Sequence, residues 1–193
     1  MALPRRMGPR GSEVWQSMLD AAEQVLRDQG YGALTSRSVA EAIGVKQRLI
    51  YYYFQTMDEL IVETFRRLAA RDLERLKEAV ASGMSPQDIW QHGIDNADTK
   101  LSAEFVALAN RVEPLRLEVK AYIQESRQVI ADALLKLSAA DARDGRLQAV
   151  VAAFFATSSA IALHREAALG IDMGHAEVMA AIGQFLDRRT ENA

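Results

Sequence analysis

The 193-residue chain contains no cysteine. Disulfides, thiolate metal sites and cysteine nucleophiles are thereby excluded, in agreement with a reducing, cytoplasmic setting. Histidine is scarce as well: His92, His164 and His175 are the only three, and none sits in an HExxH-like pair. There is no phosphate-cradling glycine loop and no GxSxG element. "HRE" at 164 to 166 is most simply a solvated or interfacial patch. The expectation is a protein that is not an enzyme and needs no metal or cofactor.

Long apolar runs are also few. The N-terminus, "MALPRRMGPRGSE", has three arginines and no apolar stretch behind them, unlike a secretory signal. The nearest approach to a membrane span is 147 to 163, "LQAVVAAFFATSSAIAL", whose 17 uncharged residues sit at the lower limit for crossing a bilayer. Serine, threonine and glutamine interrupt it, so it reads as a buried helix and no membrane partner is expected.

What remains is ordinary for a folded protein: 49% hydrophobic and 25% charged residues, enough for a substantial core. Net charge is −3, but it is unevenly spread. Residues 1 to 80 hold 12 basic against 11 acidic side chains, and residues 81 to 193 hold 11 against 15. The first twelve residues carry arginine and no acid. They suit either a flexible arm beside a polyanion or a solvated tail.

Helical periodicity dominates the chain, and the fold expected is all-α with about nine helices. Trp15, Met18, Leu19, Ala22, Val25 and Leu26 follow the i, i+3, i+4, i+7 rule, predicting a helix over 12–29 capped by Ser12 and stopped by Gly30. Thr35 caps a second helix running to about Ile43, Gly44 ends it, and a third spans 46–53. A long helix over 57–81 stops at Gly83. Ser85 and Pro86 restart the chain, and further helices fit 99–111, 114–138, 144–169 and 174–189.

Residues 49–54, "LIYYYF", have the composition of a β-strand. No second strand is legible to pair with it, and an unpaired strand leaves backbone groups unsatisfied, so the run is assigned to a helix. Ala40, Gly44 and Ile50 supply a small residue at a helix crossing, a glycine at the turn and a branched residue locking the second helix. That is a helix-turn-helix. Ile50 and Phe54, four apart, share the inward face with Val39 and Ile43 opposite. At 100° per residue Tyr51, Tyr52 and Tyr53 cannot all follow, so at least two face out. With Lys46, Gln47 and Arg48 they make a surface of donors without an acid between Lys46 and Met57. Phosphate oxygens and base edges suit such a surface. A solvated helix whose aromatics pack on neighbours is the plainer reading.

The stretch "LTSRSVAEAIGVKQRLIYYYFQTMDEL", residues 34 to 60, resembles the N-terminal signature of the TetR family of transcriptional repressors. The likeness covers roughly residues 12 to 65. It implies a helix-turn-helix DNA-binding domain over 1–56 and a ligand-binding and dimerisation bundle over 57–193, with the 57–81 helix connecting the two. Carried over by position, Thr35 caps the second helix and touches phosphate, with Ser36, Arg37 and Thr56 near the same surface. Lys46 and Gln47 open the recognition helix. Tyr51 and Tyr52 stand for the family's DNA-facing aromatic pair, and Tyr53 stands where histidine is common. Arg48 and Leu49 replace a glycine and a small hydroxyl residue. Arg48 offers a fork able to read guanine, and Leu49 can meet a thymine methyl or simply pack. Met57 replaces a phosphate-contacting lysine.

The resemblance further implies a homodimer on a palindromic double-stranded DNA operator, released by a small-molecule effector. The pairing surface is assigned to the last two helices, with Val151, Phe155, Ser158, Val178, Met179, Ile182, Phe185 and Leu186 as candidates. Trp90, Phe105, Tyr122 and Phe154 are candidate walls of an effector cavity, with His92, Asn96 and Arg111 as polar anchors. An all-helical small-molecule-binding protein or enzyme, whose N-terminal three-helix unit is merely structural, is the alternative.

Overall fold

In the computed structural model of the chain, which describes residues 9–96, 98–136 and 142–191, local signals account for most helix ends. The Ser12 hydroxyl accepts the Trp15 N–H at 3.3 Å and opens α1 (Glu13–Gln29). Gly30 closes α1 at φ +77°, its N–H returning to the Leu26 carbonyl. After a short 3₁₀ turn (Tyr31–Ala33), Thr35 and Ser38 form a reciprocal capping box at the start of α2 (Ser36–Ala42). Gly44 turns the chain at φ +69°, a conformation costly for any residue with a Cβ. The chain then forms α3 (Arg48–Tyr53). Lys46 and Gln47, expected inside this helix, lie in the turn before it.

The remaining described helices are α4 (Met57–Ala81), α5 (Pro86–Asn96), α6 (Thr99–Ala109), α7 (Glu113–Lys136), α8 (Ala142–Ala168) and α9 (His175–Glu191). The all-α expectation therefore holds, and no strand occurs among the described residues. "LIYYYF" is helical up to Tyr53, and Phe54 ends it in extended backbone.

The chain divides into two compact units, residues 1–70 with 100–120, and residues 71–99 with 121–193. Residues 57–70 of α4 belong to the first unit with α1–α3, and residues 71–81 belong to the second. In that first unit Trp15 stacks on Phe54 with centroids 6.1 Å apart, around Met18, Leu19, Leu26, Val39, Ile50 and Leu60, all nearly inaccessible. Phe65 of α4 meets Phe105 of α6 edge-on at 5.1 Å. Two buried carboxylates are charge-matched. Glu23 receives Arg27 at 2.9 Å and Arg67 at 3.2 Å, while Glu63 pairs with Arg66 at 2.9 Å and with Arg10.

The second unit has a core of Trp90 and Ile94 from α5, Ala131 and Leu134 from α7, Ala149, Ala152, Ala153, Ala156 and Leu163 from α8, and Leu186 from α9. The run 147–163 is not a fully buried helix as expected. One face of α8 carries these alanines, and the other exposes Leu147, Val151, Phe155 and Ile161. The segment Gly145–Ala168 is long and apolar enough to cross a membrane, with 28% of its most apolar window buried.

Phe54 is only 1% exposed and closes the core beneath α3. Phe54→Ala should lower unfolding free energy by about 3–5 kcal/mol, read from urea melts followed by circular dichroism.

Candidate nucleic-acid interface

The interface is built on α3, a six-residue helix too short to hold its shape unaided. Ile50 and Phe54 bury against α1 and α2 at 1% exposure each, and their burial decides what points outward. Lys46, Gln47, Arg48 and Tyr51 are all exposed, Tyr51 at 51%. Lys46 and Arg48 form no ion pair among the described residues, so both charges are available to a polyanion.

At least two of the three rings were expected to face out, and Tyr52 and Tyr53 do so less than Tyr51. Both are half-buried and meet edge-on, with centroids 5.3 Å apart. Each ring covers part of the other, an effect that helical angle alone does not contain. Leu49 is half-buried as well.

Ser36 was expected among the DNA-facing residues, but it is 4% exposed. Its oxygen accepts the Gln47 side-chain amide at 2.7 Å, and its own hydroxyl donates to the Tyr51 oxygen at 3.1 Å. It lies beneath the surface rather than on it. Arg37 is exposed and bound to Glu41 at 2.8 Å. That hydrogen bond, with the charge of Glu41, raises the Arg37 pKa, so the carboxylate already neutralises part of what the guanidinium would offer a phosphate. Thr35 is exposed, its hydroxyl oxygen accepting the Ser38 N–H at 3.0 Å, and a hydroxyl used this way keeps a further lone pair.

Thr56 accepts the Glu59 N–H at 3.1 Å, while Glu59 accepts the Gln55 N–H at 2.7 Å. Together these two bonds cap the entry to α4 directly after α3. Met57, at the lysine position, is half-buried. Arg10 pairs with the buried Glu63, so the end of the N-terminal arm is fastened to α4. The earlier arginines of the arm lie outside the described residues. The Arg10–Glu63 pair was not legible in the sequence, because 53 residues separate its members.

The effector-cavity candidates fall in both compact units. Trp90 is a core residue of the second unit, and its indole N–H donates to the Ala156 carbonyl at 2.9 Å. Phe105 belongs to the first unit, packed on Phe65. Both rings are buried. Tyr122 is half-buried and bonded to Asp72. Burial, reinforced by Asp72, raises its pKa well above the usual phenol value and keeps it neutral. Phe154 is 48% exposed, with the Arg127 guanidinium 4.8 Å from its ring centre. Arg111 is exposed. The side chains of His92 and Asn96 lie outside the described residues.

Among the pairing candidates, Val151, Phe155, Val178 and Phe185 are exposed, Phe155 most at 62%. Ser158 is half-buried. Leu186 is 2% exposed within the core, and Met179 and Ile182 pack against that core. Leu186 is therefore a core residue and not a surface one. Leu147 and Ile161, both about two-thirds exposed (66% and 65%), extend the apolar face beyond the candidates.

The family model for bacterial regulatory proteins of the tetR family matches residues 18–64, which hold the helix-turn-helix and the start of α4. The HTH-type transcriptional regulator CymR of Pseudomonas putida is 28% identical over 135 residues, 66% of this chain and 66% of that protein. The match thus spans just under two thirds of that relative's length. The HTH-type transcriptional regulator BetI of Rhizobium meliloti is 29% identical over 73 residues, 38% of this chain and 36% of that one. The solved structure of reduced NemR from E. coli superposes with a TM-score of 0.69 at 16% identity, covering 89% of this chain and 95% of that one. Low identity limits that likeness to the fold. The helix-turn-helix within residues 18–64 is therefore similar to that of the TetR family of transcriptional regulators.

Proposed function

We propose that this regulator is a homodimeric repressor that binds a palindromic operator and leaves it when a small-molecule effector binds. The observation that carries the reading is the surface of Lys46, Gln47, Arg48 and Tyr51. Four exposed donors lie on and just before one short helix, with no acid between Lys46 and Met57. In a major groove such a helix meets base edges with its first residues and phosphates with its flanks. Arg48 is the candidate base reader, bidentate to guanine. Lys46, Thr35 and the tyrosine hydroxyls are candidate phosphate partners. Two copies would place recognition helices about one DNA turn, or a multiple of it, apart.

Pairing is assigned to the exposed apolar face of α8 and α9. Val151, Phe154, Phe155 and Ile161 on α8, with Val178 and Phe185 on α9, leave large side chains in water. A contiguous patch of that kind marks a contact surface. The pairing is isologous, so each substitution acts twice.

Effector release rests on α4, which contributes residues to both compact units. Binding in the second unit shifts the population between dimer shapes that suit the operator and shapes that do not. Arg127 over the exposed face of Phe154 is the polar-aromatic pair available to an effector there.

Gel-shift titration against the DNA upstream of the chain's own reading frame tests the binding claim. Specific binding should weaken steeply as salt rises. Arg48→Ala should cost about 1–3 kcal/mol and relax preference at one base pair. Loss of all sequence preference in the wild type would instead favour the helical small-molecule-binding protein or enzyme with a structural three-helix unit.

The pairing claim is checked separately by sedimentation velocity. Phe155→Glu with Val151→Glu should convert the dimer to monomer while leaving helix content unchanged. Operator affinity should then fall by roughly 100-fold or more, because two linked heads bind with an avidity that single heads lack.

A further inference from the structure

The buried Ser36 touches two of the exposed donors at once. Its oxygen takes a hydrogen from Gln47 Nε2 at 2.7 Å, and its own hydrogen goes to the Tyr51 hydroxyl at 3.1 Å. Two consequences follow from valence. The Tyr51 oxygen is already an acceptor, so its remaining hydrogen is directed to the exposed side of a ring that is 51% accessible. The chain of donors Gln47, Ser36, Tyr51 also runs in one direction, and each bond polarises the next. Ser36 is the first residue of α2, whereas Gln47 and Tyr51 flank the start of α3, so the link also sets where those two side chains stand before DNA arrives.

The geometry points to Ser36 as a positioning residue for DNA recognition: it pre-orients Gln47 and turns the Tyr51 hydroxyl into an outward donor aimed at a hydrogen-bond acceptor of the DNA. This rests on the DNA-binding reading above and adds a residue that does not itself reach the DNA. Rotamer-rich side chains fixed in advance lose less freedom on binding, so the gain appears as affinity rather than as stability. Ser36→Ala leaves Gln47 and Tyr51 at the surface, where water replaces the lost bonds. The melting temperature should therefore change little.

The probe is the duplex that the wild-type protein selects from a randomised library, with a scrambled duplex of equal length as reference. Ser36→Ala should weaken binding to the selected duplex by about tenfold, the scale of one or two hydrogen bonds. In the Gln47→Ala, Tyr51→Phe background the same substitution should change affinity by less than about twofold, because its two clients are gone. A penalty that persists undiminished in that background overturns the proposal and makes Ser36 a structural residue only. If Ser36→Ala fails to fold, the Gln47→Ala and Tyr51→Phe pair still decides: less than additive losses support the shared link, and additive losses overturn it. A Tyr51→Phe loss that is equal on both duplexes identifies phosphate as the acceptor, and a loss confined to one base pair identifies a base. No loss at all overturns the donor role. A wild type that selects no duplex removes the DNA-binding reading itself, an outcome distinct from any of these.

Discussion

Everything at the candidate interface depends on the burial of two residues beneath a six-residue helix. An isolated helix of that length does not persist in water. Ile50 and Phe54 hold it, both nearly inaccessible, with Phe54 stacked 6.1 Å from Trp15 of α1. Because these two positions supply the anchoring, the others on α3 are released from packing duty. That is why Arg48 and Tyr51 can stand in solvent, although aromatic side chains in so short a run would otherwise compete for the core.

The same unit uses buried charge to fix the helices around α3. Glu23 on α1 and Glu63 on α4 are both under 10% exposed, and each carboxylate is met by two arginines. Arg67 alone reaches Gln16, Asp20 and Glu23 along one face of α1. A buried ion pair adds little net stability against an apolar substitute, yet removing one partner strands the other. Its effect is to penalise every register but one between α1 and α4. The short α3, anchored in the same unit, inherits that register, and the Ser36 link then refines it to individual side chains.

Much of this was legible in the sequence where the cause is local. Helix ends follow from Ser12, Gly30, Thr35, Gly44, Gly83 and Ser85, since capping and positive φ act within a few residues. The inward pair of α3 followed from helical angle. What was not legible depends on contacts between distant residues. Ser36 looks like a surface residue beside a capping threonine until α3 is laid over it. Trp90 and Phe105 owe their burial to such contacts, an indole N–H satisfied by Ala156 and a ring packed on Phe65. Tyr52 and Tyr53 shield each other, which no angular count registers.

The last two helices show why periodicity alone could not separate core from contact surface. On α8 both faces are apolar, but they differ in size. The inward face is Ala149, Ala152, Ala153 and Ala156, with Leu163 as its one large residue among the buried ones, and the outward face is Leu147, Val150, Val151, Phe154, Phe155 and Ile161. A helix serving only its own core would place its largest side chains inward, where burying each is worth roughly 1.5–3 kcal/mol. Here the small residues face in and let neighbouring helices approach closely, while the large ones are left to water. That distribution stabilises the monomer poorly and becomes favourable once a second apolar surface covers it. On α9 the division is cleaner, with Leu186 turned in and Val178 and Phe185 turned out. The proposed dimer gives these outward side chains the burial that the single chain withholds.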